Sequence, residues 1–194
     1  MTTNTRSWTK TLSNPFTPEA RGGLSTAGLI LLGLAAGLLH VHLRYPLNIS
    51  GHHGLEWMAL LLFGRLLSTQ RHAALTIAAG AAASYLTQSA LLPLAHEVKP
   101  AVIFLLTGAA ADILFRVSKD RLPKLVSAGL IGGLAFVTKP MVMYALYLGV
   151  GMHVGMFIKH PDYLPFVSHL LFGAAGGVGG ALLARAAMPK TKNS

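Results

Sequence analysis

The chain has 194 residues, of which 53% are hydrophobic and 11% charged, and its mean hydropathy is +0.55. Soluble domains carry about 25% charged residues and disordered chains are poor in apolar residues, so this composition excludes both classes and indicates a membrane protein. Because cysteine is absent, disulfide bonds, thiolate nucleophiles and thiolate metal sites are excluded as well. The net charge of +10 does not indicate nucleic-acid binding, because the Lys and Arg residues flank apolar segments.

Six apolar segments predict an all-α membrane protein with six transmembrane helices. They cover residues 24–43, 55–67, 73–95, 101–115, 125–150 and 164–187. The second segment is short and contains Arg65 near its end. The fifth contains Lys139 and Pro140, which predicts either a kinked helix or a re-entrant segment.

Three regions follow from these segments. Residues 1–22 form a polar arm that lacks the apolar core of a signal peptide, and we expect it to be cytoplasmic. Residues 23–188 form the transmembrane domain, and residues 189–194 form a short basic tail. The glycine-rich stretch 173–180 predicts a helix-packing face, since neither a strand before it nor a Gly-Lys-Ser/Thr after it suggests a phosphate loop.

The distribution of positive charge predicts that both termini are cytoplasmic, in a multi-pass protein of the inner membrane. With that orientation only Arg44, Lys99 and Lys159 lie outside, and Lys139 lies within the membrane. The other twelve basic residues lie inside: Arg6, Lys10, Arg21, Arg65, Arg71, Arg116, Lys119, Arg121, Lys124, Arg185, Lys190 and Lys192.

Lys139 is the main candidate binding residue. It lies roughly 21 Å along its helix from the cytoplasmic end, at or beyond the midplane, where a lone cation needs a partner or a wet cavity. Asp112 is too close to the inner surface to reach it, and we expect Asp112 to pair with Arg116 one turn away.

The remaining polar residues of the helices cluster toward the outer side. This pattern predicts a pocket that opens outward and binds a small polar or anionic solute, beneath a loop that acts as a lid. Scattered hydrogen bonds between helices would give the same pattern. The candidate binding residues besides Lys139 are Glu56, His52, His53, Asn48, Trp57, Gln88, Thr107 and His169.

Two other kinds of chemistry receive little support. His52 and His53 are weak metal-binding candidates, with Glu56 as a third ligand, because adjacent histidines point in different directions and the His-Glu-x-x-His motif is absent. No Gly-x-Ser-x-Gly elbow and no acid/base pair of carboxylates is present. We therefore expect no enzymatic activity and no cofactor.

The chain resembles the substrate-binding S components of energy-coupling factor (ECF) vitamin transporters. The likeness covers the length, the plan of six helices, the loop that leads through residues 48–57 into the second helix, and the glycine-rich last helix. It implies a solute held in the outer half by the last three helices and the first loop. It also implies a transmembrane coupling subunit, driven by two ATPases, that contacts small residues on the first helix; Gly23 with Ala27 and Gly33 with Gly37 fit that pattern.

These observations predict a solute-binding or transport protein that captures a small, vitamin-like solute from outside and works with a separate energising complex. One alternative is a non-transporting accessory subunit of a larger membrane complex, in which Lys139 pairs with a carboxylate of a partner chain. A second alternative is a permease for a divalent metal such as nickel or cobalt, which would need His52 and His53.

Overall fold

The computed structural model describes residues 24–42, 50–91, 98–118, 124–151, 157 and 163–188. Within these ranges the regular secondary structure is entirely α-helical, in agreement with the predicted fold class. The six helices are α1 (Thr26–His42), α2 (Gly54–Leu67), α3 (Ala73–Leu91), α4 (Lys99–Val117), α5 (Lys124–Val150) and α6 (Leu164–Ala187).

Three of the six helices, α4, α5 and α6, are long and apolar enough to cross a membrane. Helix α1 is apolar but has 17 residues, and α2 has 14. The structure is thus consistent with a membrane protein, whereas six crossings and cytoplasmic termini stay predictions. The N-terminal arm and the basic tail lie outside the described residues.

The helices form a ring in the order α1, α3, α4, α5, α6, α2, and α2 also contacts α3 and α5. Each helix runs opposite to the one before it in the chain. We call the end of the bundle where α1, α3 and α5 finish the cavity end, and the other the cationic end. The cationic end carries Arg65, Arg71, Arg116, Lys124 and Arg185.

Glycine residues let the helix backbones approach closely, which confirms the predicted packing role of the glycine-rich stretch. A β-carbon on Gly173 would lie 2.6 Å from the carbonyl oxygen of Gly132 on α5, and one on Gly176 would lie 2.6 Å from that of Leu55 on α2. Such distances leave no room for a side chain. Helix α6 is thereby packed against α5 on one side and α2 on the other.

Helix α5 is continuous through Pro140, so the re-entrant alternative for the fifth segment is wrong. Pro140 is buried inside the helix, and α5 ends at Val150 before Gly151, whose φ of +66° suits the left-handed turn that terminates a helix. Lys139 therefore belongs to a helical wall of the bundle.

Helix α2 begins beside the middle of α6, not at its end. Gly176, which packs against the first turn of α2, is twelve residues from Leu164, or about 18 Å along α6. Gly51, with a φ of +89°, makes the turn before α2 and packs against the ring of His169. Residues 50–53 thus lie within the bundle, and Glu56 lies beside the middle of α6. Its depth in the membrane stays a prediction.

The predicted pairing of Asp112 with Arg116 is also wrong. Asp112 is buried, and its Oδ1 lies 2.8 Å from Nε of Arg65 on α2. Its carboxylate also accepts hydrogen bonds from the backbone N–H groups of Ala74 (3.3 Å) and Leu75 (2.9 Å), in the first turn of α3. The Nη2 atom of Arg116 instead lies 3.0 Å from Nδ1 of His72. Asp112 prefers this arrangement because the free N–H groups at the start of a helix favour a carboxylate.

Candidate functional site: a cavity beside Lys139

A cavity of about 120 Å³ lies among four helices toward the cavity end of the bundle. Helix α1 contributes His40, α2 contributes Trp57, and α4 and α5 supply the rest of the wall. The residues from α4 and α5 are Lys99, Pro100, Ile103, Phe104, Thr107, Phe136, Lys139 and Met143. Lys139 and Lys99 are the charged residues among the described residues of this lining, and these include no carboxylate.

Lys139 is the charged residue of the cavity wall that lies inside the bundle, away from its ends. It makes no hydrogen bond and no ion pair with the residues that the structure describes, in which the carboxylates are Glu56 and Asp112. Asp112 is held by Arg65, and Glu56 does not line the cavity. The cavity therefore places an ammonium group next to space that a small molecule can enter.

The wall around Lys139 is mostly aromatic. Phe104 packs against the rings of Trp57 and His40, at centroid distances of 4.8 and 5.1 Å. The hydroxyl of Thr107 donates to the carbonyl of Ile103 at 2.8 Å and lies 3.1 Å from the hydroxyl of Thr138 on α5. Apolar walls with few polar groups are typical of sites that bind small molecules.

Three of the predicted binding residues, Lys139, Trp57 and Thr107, meet at this cavity. Phe104 and Phe136 also line the cavity and are not among the binding residues predicted from the sequence. A signal for both was available, since Phe136 precedes Lys139 by three residues and Phe104 precedes Thr107 by three. Residues at that spacing share one face of a helix.

His169 supports the cavity from behind its wall. Its ring is fully buried and stacks on Phe136, with centroids 4.8 Å apart. Nδ1 lies 2.6 Å from the carbonyl oxygen of Pro165 and therefore donates the proton, because a carbonyl only accepts. Nε2 is buried and has no hydrogen-bond partner in the described part of the chain.

The histidines before α2 lie close to the end of α1. The ring centroids of His52 and His53 are 3.9 Å apart, and those of His53 and His40 are 5.1 Å apart. Over the described residues, however, no group of three or more His, Asp or Glu side chains has a geometry that could hold a metal ion. The histidines thus form an aromatic cluster at the edge of the cavity.

Other predicted residues lie away from the cavity. Gln88 is buried between α1 and α3, where its amide donates to the carbonyl oxygens of Ser84 (3.2 Å) and Gly37 (3.4 Å). Glu56 faces a groove between α2 and α6. Asn48 lies outside the described residues, and so does Gly23. A direct role for any of these in binding stays a prediction.

The small residues of α1 are used mainly inside the molecule. A β-carbon on Gly37 would lie 2.7 Å from the carbonyl oxygen of Ala81, and Gly33 is packed equally closely against Ile77. Both glycines therefore hold α1 against α3. Ala27 is exposed and remains free for contact with another chain.

The chain matches no protein-family model, no curated protein and no solved structure. The resemblance to ECF S components stays an expectation from the sequence.

Proposed function

We propose that this protein binds a small anionic solute in the cavity beside Lys139, within a membrane. The observation that carries the proposal is the position of Lys139, in a cavity wall with no anionic partner from the described residues. A cation within a bilayer costs at least about 2.5–3.5 kcal/mol, and a bound anion offsets that cost. Lys99 adds a second positive group to the same wall.

The size of the cavity restricts the solute. Cavities for drug-sized ligands measure about 300–1,000 Å³, and 120 Å³ is well below this range. A carboxylate or oxyanion of a few heavy atoms fits these dimensions.

The wider proposal is that the protein delivers this solute across the membrane. The sequence resemblance supports a separate energising complex, because the chain lacks a recognisable nucleotide-binding motif. The orientation that follows from positive charge would open the cavity to the outer side.

The proposal is tested by measuring the binding of small anions to the protein in lipid nanodiscs. Bicarbonate, nitrate, phosphate, formate, acetate and lactate are titrated separately by calorimetry against the wild type, Lys139→Met and Lys124→Met. Lys124 is the matched control, since it lies on the same helix at the cationic end.

We expect saturable binding of at least one anion to the wild type and to Lys124→Met. Lys139→Met should bind it about tenfold to hundredfold more weakly, because a hydrogen bond to a charged group contributes about 1.5–3 kcal/mol. Equal affinity in the wild type and Lys139→Met, or no saturable binding of any of these anions, would contradict the proposal.

A further inference from the structure

A second concave surface lies on the outside of the bundle, between α2 and α6, and has a volume of about 600 Å³. We call it the α2–α6 groove. Small and apolar side chains form its walls, among them Ala59, Ala175, Leu182 and Leu183, and Glu56 is the charged side chain among the described residues of its lining. Surface concavities of this kind receive side chains of a neighbouring helix.

The floor of the groove is open at Gly179. A β-carbon there would meet nothing within 4 Å, whereas β-carbons on Gly173, Gly176, Gly177 and Gly180 would collide with α5 or α2. The neighbouring glycines of α6 are thus covered by this chain, and Gly179 is left for contact from outside. A helix can approach the backbone of α6 closely at this position.

Glu56 places a carboxylate at the edge of this apolar groove. Since α2 begins beside the middle of α6, Glu56 lies next to the middle of that helix and not next to its end. His52, four residues earlier, is the titratable side chain of the described chain that interacts with it. An acidic residue at this position favours a cationic neighbour over lipid.

Within the described ranges, a second copy of this chain offers no cation for that position. Two copies joined groove to groove would bring one Glu56 toward the other. Arg65 pairs with Asp112, and Lys139 lines the cavity. The other described basic residues lie toward the ends of the bundle: Lys99 at the cavity end, and Arg71, Arg116, Lys124 and Arg185 at the cationic end.

We propose that the α2–α6 groove binds a transmembrane helix of a different protein, through a Lys or Arg near the middle of that helix and small-residue packing at Gly179. The inference concerns another face of the molecule than the cavity and does not depend on the proposed function.

The test uses synthetic transmembrane peptides as probes. Three Leu/Ala helices of about 24 residues are compared, with Lys, Leu or Glu at the central position. Association with the fluorescently labelled protein in phosphatidylcholine vesicles is measured by energy transfer. The proteins are the wild type, Glu56→Gln, Glu56→Lys, Gly179→Leu and Lys139→Met, and Gly149→Leu is the control for Gly179→Leu because its β-carbon also meets nothing within 4 Å.

We expect the Lys peptide to bind the wild type at least tenfold more tightly than the Leu peptide. Glu56→Gln should remove this preference, Glu56→Lys should transfer it to the Glu peptide, and Gly179→Leu should abolish binding of all three peptides. Gly149→Leu and Lys139→Met should bind as the wild type does, so failure of the cavity proposal would leave this result unchanged.

Two outcomes would overturn the inference. One is equal binding of the Lys and Leu peptides to the wild type. The other is self-association of the labelled protein that Gly179→Leu removes, which would assign the groove to a second copy of this chain.

Discussion

The buried charges of this protein have different roles, which are set by their neighbours. Arg65 and Asp112 satisfy each other, and Asp112 also accepts two backbone N–H groups at the start of α3. The guanidinium of Arg65 lies 4.4 Å from the centre of the Phe115 ring. Lys139 lacks any such set of partners in the described chain. At the scale of single residues, one site is therefore complete and the other has room for a ligand.

Removing Asp112 tests the structural role of the complete site. We expect Asp112→Ala to destabilise the fold by about 3–5 kcal/mol, since it leaves the buried Arg65 without its counter-charge. Arg116→Met should cost less than about 1 kcal/mol, because the hydrogen bond of Arg116 to His72 is exposed to solvent. Thermal unfolding in detergent, followed by circular dichroism, measures both. Equal losses in the two variants would favour the pair Asp112–Arg116 that the sequence alone suggested.

At the scale of helices, the length and glycine content of each helix decide which of its surfaces are buried against other helices of the molecule. Because α2 is short, it covers only the half of α6 toward the cationic end, and Gly51 in the turn before α2 packs against His169 in the other half. Gly132 and Gly173 bring α5 and α6 into backbone contact. The same helix, α6, therefore serves both as an internal scaffold and, at Gly179, as a possible contact surface.

Alanine substitutions on α6 separate these two uses. Gly173→Ala should destabilise the protein by about 1–3 kcal/mol, because the added methyl group collides with the backbone of Gly132. Gly179→Ala should be neutral or stabilise by up to about 1 kcal/mol, since alanine is the better helix former and its β-carbon meets nothing. The midpoints of thermal unfolding of the two variants give the comparison. A lower midpoint for Gly179→Ala as well as for Gly173→Ala would contradict the open surroundings of Gly179.

For the whole molecule, the two ends of the bundle differ in charge. The cationic end carries five basic residues from the described chain, and the cavity end carries Lys99. From the positive-inside rule we predict that the cationic end lies in the cytoplasm and that the cavity opens to the other side.

The absence of native cysteine makes this orientation directly measurable. Ser118→Cys reports on the cationic end and Tyr163→Cys on the cavity end. With intact cells and a membrane-impermeant maleimide, we expect labelling of Tyr163→Cys and labelling of Ser118→Cys only after the cells are lysed. The reverse pattern would turn the cavity toward the cytoplasm and contradict capture from outside.

Apolar runs and a lone charge within one of them are properties of composition along a single chain, so the sequence predicted the helical class, the approximate bounds of the helices and the position of Lys139 within the fifth helix. Which side chains meet depends on the tertiary structure. Asp112 pairs with Arg65 instead of Arg116, Glu56 lies beside the middle of α6, and Phe104 and Phe136 join Lys139 at one cavity. These outcomes depend on how six helices are rotated and displaced against each other, and close packing at glycines fixes those rotations only once the whole bundle has assembled.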